Sequence, residues 1–127
     1  GVALTALAVD STGVNIAVGT SSGKVVVVDT NELKVVGQPF SGEGSIVGLK
    51  FAGTSKRLNV VTSKKQLATC SEDFTSSKLL TIQPTDRPER LSFSADGTVA
   101  AICYSESVGF CVVDMAQDRL LAKYPVD

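Results

Sequence analysis

The chain has 127 residues, 43% of them hydrophobic and 20% charged, the balance of one soluble globular domain. Its 12 basic and 13 acidic side chains give a net charge of −1, without the basic excess by which nucleic-acid binders displace counterions from phosphates. The longest apolar run, Val25-Val26-Val27-Val28, fits one buried strand and falls far short of the roughly 18 residues a membrane-spanning helix needs.

Taken in order, Gly1-Val2-Ala3-Leu4 has no basic segment followed by a long apolar one, so it does not read as a signal peptide. Without a starting Met, the chain reads as processed or as a piece of something longer. The first predicted strand begins at Leu4, with Leu7 and Val9 alternating with Ala6 and Ala8 at a period of two. The turn Asp10-Ser11-Thr12-Gly13 follows: Gly supplies a positive φ, and Asp or Ser bonds the local backbone. A second strand is predicted from Asn15 to Gly19, and a turn at Ser21-Ser22-Gly23 leads to a third from Lys24 to Asp29. Val25 to Val28 is apolar on both faces, which predicts a central strand covered on each side. A fourth, more exposed strand runs from Leu33 to Val36 and is expected to end at Gln38-Pro39, since Pro cannot extend a ladder.

The same order then recurs. Ile46 to Ser55 opens a second unit, with strands predicted at Leu58 to Ser63 and Leu79 to Gln83, the latter stopping at Pro84. Leu91 to Gly97 opens a third, with strands at Thr98 to Tyr104 and Arg119 to Tyr124. Leu7, Leu49 and Leu91 recur at steps of 42 residues, as do Val9, Phe51 and Phe93, and Val18, Val60 and Ile102. Three columns with one period mark an internal repeat. The fourth strands carry Lys34, Lys78, Arg119 and Lys123, charges that discourage edge-to-edge aggregation. The predicted fold is all-β: three four-stranded antiparallel meanders, at about residues 1–41, 42–84 and 85–127. A lone meander cannot bury both apolar faces, whereas stacking neighbours face to face, as blades of a β-propeller, does. A β-sandwich is the fallback, although sandwich strands need not recur at one period.

Leu4 to Asp29 resembles a WD-repeat in its apolar strand, Asp-Ser-Thr-Gly turn, Ile16-Ala17-Val18-Gly19-Thr20, Ser-Ser-Gly-Lys turn and closing Val25 to Asp29. Val28-Asp29 and Val113-Asp114 stand where that family has Trp-Asp, and Phe93-Ser94-Ala95-Asp96-Gly97 resembles its Phe-Ser-Pro-Asp-Gly turn. The second unit, with Ser71-Glu72-Asp73 and Leu80-Thr81-Ile82, matches more loosely. The chain has no Trp and no His, so the family's His–Ser–Trp–Asp network cannot form, and packing of Val, Ile, Leu and Phe must replace it. Divergent repeats of this sort occur in actin-regulating, vesicle-coat and ribosome-assembly propellers. The resemblance implies a segment that presents rim loops to partner proteins.

Closed propellers usually have four to eight blades, so three make an open arc with uncovered end faces. Either two copies close a six-bladed ring as a homodimer, or the chain is a piece of a longer propeller; the second reading is preferred.

Few residues suggest chemistry. Cys70, Cys103 and Cys111 are odd in number and irregularly spaced, and read as reduced core thiols of an intracellular protein, cytoplasmic or nuclear. Cys103 and Cys111 flank a predicted hairpin, which leaves a cross-strand pair as the alternative. No His is present to ligate zinc or serve as a general base, Glu72-Asp73 reads as a solvated turn, and no helix follows Gly42-Glu43-Gly44 to cradle a phosphate. No cofactor, metal site or catalytic residue is therefore predicted; a metal-dependent propeller enzyme is the distant alternative. Lys56-Arg57 and Lys64-Lys65 lie at opposite ends of one strand and are expected at opposite rims. One rim gathers the loops between blades and the turns between second and third strands. The resemblance implies that this rim, with the mouth of the central channel, is the peptide-binding surface, which makes Glu43, Lys64, Lys65, Asp86, Arg87 and Glu106 there the candidate partner-binding residues.

Overall fold

The computed structural model describes residues 2–125. It holds 12 strands in chain order: β1 (Leu4–Val9), β2 (Asn15–Thr20), β3 (Lys24–Asp29), β4 (Lys34–Ser41), β5 (Ile46–Phe51), β6 (Leu58–Thr62), β7 (Leu67–Cys70), β8 (Ser77–Leu79), β9 (Pro88–Phe93), β10 (Val99–Tyr104), β11 (Phe110–Asp114) and β12 (Arg119–Tyr124). They form three four-stranded sheets, each a simple meander in sequence order. We call them blades one, two and three. The end strands β1, β5 and β9 contact one another in succession, so they are the inner strands of the arc, and β4, β8 and β12 are the outer ones.

The register explains the 42-residue repeat. Leu7 pairs with Val18, Leu49 with Val60 and Leu91 with Ile102, and residues directly opposite in an antiparallel pair share a face. The repeated columns therefore build the same face in every blade, the one turned toward the preceding blade; we call it the leading face and its reverse the trailing face. One core cluster joins Ala8, Ala17, Val25 and Val27 of blade one to Leu49, Phe51, Leu58 and Val60 of blade two. A second joins Val61 and Leu67 of blade two to Ala100, Ile102, Cys111 and Val113 of blade three. Trailing faces are small near the axis. Gly48 lies so close to the Leu91 side chain that an added methyl would overlap it.

Four expectations change. The third strand of blade one is covered on one face only: Val25 and Val27 are fully buried, while Val26 and Val28 are half-buried, because none of the described residues forms a blade on their side. For the same reason Leu7 and Val9 are exposed, while Ala8 between them is buried. Pro39 does not end the fourth strand. β4 runs on to Ser41, with Pro39 inside a bulge between the Val27–Gly37 and Val25–Phe40 pairs, where an outermost strand needs no ladder donor. In blade two the outer strand is only Ser77–Leu79 and ends well before Pro84. Finally, Cys70 and Cys111 are buried but Cys103 is exposed, and all three are free. Cys103 pairs with Phe110 while Cys111 pairs with Ile102, so the two thiols point to opposite faces and cannot join. Burial pushes the Cys70 thiol up to about 12.

Polar ties supplement the apolar contacts between blades. Asn59 donates to the Gly97 carbonyl at 2.7 Å from a buried site. The Asp118 carboxylate in the last turn of blade three accepts from the Thr81 N–H at 2.9 Å, the Thr81 hydroxyl at 2.8 Å and the Ile82 N–H at 3.1 Å. These donors, the Thr81 N–H first and then that of Ile82, hold its pKa below the ordinary 3.8. A depressed folded-state pKa means the tie stabilises fully above 3.8 and fades as pH falls through the lower folded value. Asp118→Ala is thus expected to lower the melting temperature at neutral pH and to converge with wild type in acid, in a thermal-denaturation series across pH. A constant offset at every pH would show that the carboxylate charge is not the tie.

Candidate partner-binding rim

The rim forms where the β2–β3, β6–β7 and β10–β11 turns meet the connections between blades. Tight backbone bonds fix it. Gly42 donates to the Gly23 carbonyl at 2.8 Å, Ser63 to that of Ser45 at 2.9 Å, and Ser105 to that of Arg87 at 2.9 Å. Each such bond ties a turn of one blade to an adjoining connection, so the rim is a continuous frame on a rigid sheet stack.

The six candidate residues all lie on this frame, in two groups. Between blades one and two, the Glu43 N–H donates to the Gln66 side-chain oxygen at 2.8 Å, and the Lys64 stem lies against Gly44. Between blades two and three, the Lys65 ammonium points at the Thr85 carbonyl at 3.5 Å. There Arg87 and Glu106 form an ion pair at 3.3 Å. Asp86 accepts from the Arg87 N–H at 2.7 Å and the Ser107 hydroxyl at 2.8 Å. The Arg87 N–H, the Ser107 hydroxyl and the nearby Lys65 charge hold the Asp86 carboxyl below its usual range. The Arg87–Glu106 pair is solvent-exposed, with side chains 50% and 66% accessible, so it adds little stability and is open to exchange with a partner's charges. Gln66 and Ser107 were not among the predicted residues. Their turn positions were legible, but the bonds they make depend on turn length.

Lys56 and Arg57 lie at the other end of β6, as expected, beside Glu72, which accepts the Lys56 N–H at 3.2 Å. The repeated aspartate turns line that opposite rim. Asp10 accepts from Asn15 at 2.7 Å and from Thr12 at 2.8 Å. Burial alone would raise its carboxyl, but these bonds together outweigh it and hold the pKa below 3.8. Asp73 and Asp96 bond their own turns in the same manner, so all three close turns and none is gathered into a metal site. Among the described residues no group of three or more His, Cys, Asp or Glu side chains converges. The groove along the inner strands, between Ala6 and Leu7, Gly48 and Leu49, and Leu91, encloses about 250 Å³, below the usual size of a small-molecule site.

No protein-family profile matches the chain, and no curated protein matches it. Solved structures do. The β-propeller domain of Cps50 (Swd1) from Myceliophteria thermophila superposes with a TM-score of 0.78 at 16% identity, over 99% of this chain and 42% of that one. Hydrazine synthase of Kuenenia stuttgartiensis gives 0.76 at 21% identity, over 92% of this chain and 35% of that one. The dihydro-heme d1 dehydrogenase NirN, in complex with DHE, gives 0.75 at 20% identity, over 98% and 28%. The chain thus spans less than half the length of each. Identities this low carry the fold and no activity. With its three stacked meanders, the chain is a β-propeller arc of three blades.

Proposed function

We propose that this arc is a WD-repeat-like scaffold segment that binds partner proteins through the rim carrying Glu43, Lys64, Lys65, Asp86, Arg87 and Glu106, and that it performs no catalysis. The observation that carries this reading is the convergence of those six charged residues on one rim, four of them around a single network between blades two and three. Charges of both signs on a rigid frame favour a partner with a complementary charge pattern. The repeat pattern supports the WD-like assignment, and the absence of His removes the commonest general base of hydrolytic chemistry. Two of the matched structures are enzymes by name, and their likeness to this chain is one of fold. The odd number and irregular spacing of the cysteines support a cytoplasmic or nuclear protein.

Charge reversal tests the rim. Lys64 is exposed and Lys65 half-buried. Lys64→Glu with Lys65→Glu is expected to weaken capture of the partner at least about tenfold, an effect of about 1.4 kcal/mol, with the melting temperature changed by no more than a degree or two. Affinity capture from a cell extract by the wild-type chain, followed by titration of the captured protein against the double variant, measures it. Equal affinity for the two forms would move the binding surface elsewhere.

A further inference from the structure

The trailing face of blade two carries a recess at its outer corner, away from the six charged residues of the rim. It encloses about 240 Å³, and residues of blade two alone line it. The register places them. Thr69 stands directly opposite Asn59 on β6 and Lys78 on β8, and residues so paired share a face. Asn59 identifies that face as the trailing one, since its amide reaches Gly97 of blade three. Arg57 precedes Asn59 by two positions, and its carbonyl still accepts from Ala52 across the ladder, so it falls on the same side. Lys78 and Arg57 therefore flank Thr69, one opposite it and one on the diagonal, both within reach of a long side chain.

Three features suit this recess to an anion. The Thr69 hydroxyl oxygen is hidden from solvent and is the one such side-chain atom without a hydrogen-bond partner among the described residues, a costly state for a hidden hydroxyl. Arg57 and Lys78 are exposed and belong to neither of the ion pairs found among the described residues, Lys34–Glu32 and Arg87–Glu106. Ser76 and Ser77 add two hydroxyls to the wall. The opposing charges are fewer or engaged. Glu72 is the one carboxylate in the wall, and it accepts the Lys56 N–H at 3.2 Å. Asp118, near enough for Lys78 to lower its pKa, is already bonded to Thr81 and Ile82. Size narrows the ligand further. The recess falls below the usual volume of a small-molecule site but admits a tetrahedral phosphate group with the first atoms of an ester. Such a group carries roughly two charges at neutral pH and three acceptor oxygens, matching two cations and a hydroxyl donor.

We propose that this recess binds a phosphate group, free or as a monoester, with Arg57 and Lys78 pairing its charge and the Thr69 hydroxyl donating to one of its oxygens. The site sits at the end of β6 opposite Lys64 and stands or falls independently of what the rim binds.

Amide chemical shifts of the full chain, titrated with inorganic phosphate at neutral pH and constant ionic strength, test it. Saturating shifts are expected at residues 57, 69 and 71–78. Residues 64 and 65, two adjacent cations outside the recess, are expected to stay unmoved. Thr69→Val keeps the shape and removes the donor, and is expected to weaken phosphate about tenfold. The melting temperature of the ligand-free variant should hold or rise, because no hydrogen bond is lost. Arg57→Gln with Lys78→Gln is expected to abolish saturation, and Glu72→Gln to tighten phosphate about threefold by removing a like charge. Displacement of phosphate by glycerol 3-phosphate would support the site with a monoester as its ligand, and failure to displace would support it with free phosphate. Shifts that never saturate, or that are equal at residues 64 and 65, overturn the proposal. So does an affinity unchanged by either Thr69→Val or the double variant. A lowered melting temperature in Thr69→Val would show that the hydroxyl is already partnered, and weaker binding in Glu72→Gln would show a ligand bearing a cation; each also overturns it.

Discussion

Val27→Asp is expected to abolish cooperative folding and Val26→Asp to leave the chain folded, as urea-denaturation curves of the two variants would show. The two residues are adjacent in one strand, and their local propensities are the same. Val27 is fully buried on the trailing face of blade one, in the cluster with Leu49, Phe51, Leu58 and Val60. Its burial contributes about 1.5–3 kcal/mol, and an uncompensated carboxylate in its place adds roughly 3–5 kcal/mol of penalty. Together these reach the lower part of the stability range of an ordinary domain, about 5–15 kcal/mol, which a three-blade arc with an open face is expected to occupy. Val26 pairs with Val18 on the open leading face and is half-buried, so an aspartate there keeps contact with water and costs about 1 kcal/mol. If Val26→Asp is as damaging as Val27→Asp, the leading face of this chain is already covered in solution.

That contrast also marks how far the sequence could be read. The period of 42 residues, the meander and most strand ends were legible because apolar columns and Gly-containing turns recur in register. Which face of which blade is open was not. Leu7, Leu49 and Leu91 are the same residue at the same place in the repeat, and only what is stacked on each decides that Leu7 meets water. The Val25 to Val28 run was read as doubly covered on the same grounds, correctly as a preference of the residues and wrongly as a fact about this arc. Pro39 misled for a different reason. A ladder rule holds for a regular strand, and the bulge that exempts it depends on pairing with β3, which no local pattern reveals.

The rim was legible in location and opaque in detail. Strand ends placed Glu43, Lys64, Lys65, Asp86, Arg87 and Glu106 on one side of the sheets, and there they lie. Their division into two groups follows from turn length. The β10–β11 turn spans residues 105–109, against 21–23 for β2–β3. The longer turn brings Glu106 to Arg87 and Ser107 to Asp86. Gln66 escaped notice because an uncharged amide carries no signal until its oxygen is seen accepting the Glu43 N–H.

Gly23 offers the sharpest separation of backbone strain from lack of space. It adopts φ +87°, and an added Cβ would overlap the Gly42 carbonyl oxygen and lie 2.8 Å from that of Gly44. Gly13 adopts a similar φ of +77° with nothing within 4 Å of the same added atom. Gly13→Ala therefore bears only the left-handed backbone penalty, about 1–2 kcal/mol. Gly23→Ala bears that penalty and must also displace a backbone loop, for a total of roughly 3–5 kcal/mol. The displaced loop carries Glu43 and is bonded to Gly23 through the Gly42 N–H. The damage should thus extend to the rim between blades one and two while sparing the Arg87–Glu106 group beyond β7. Paired urea titrations give the energetic difference, and amide chemical shifts of residues 42–45 against those of 86 and 106 give the spatial one. Equal destabilisation by the two alanines would mean the 42–44 loop yields freely, and the rim would then be a soft surface that forms on binding rather than the fixed frame its hydrogen bonds describe.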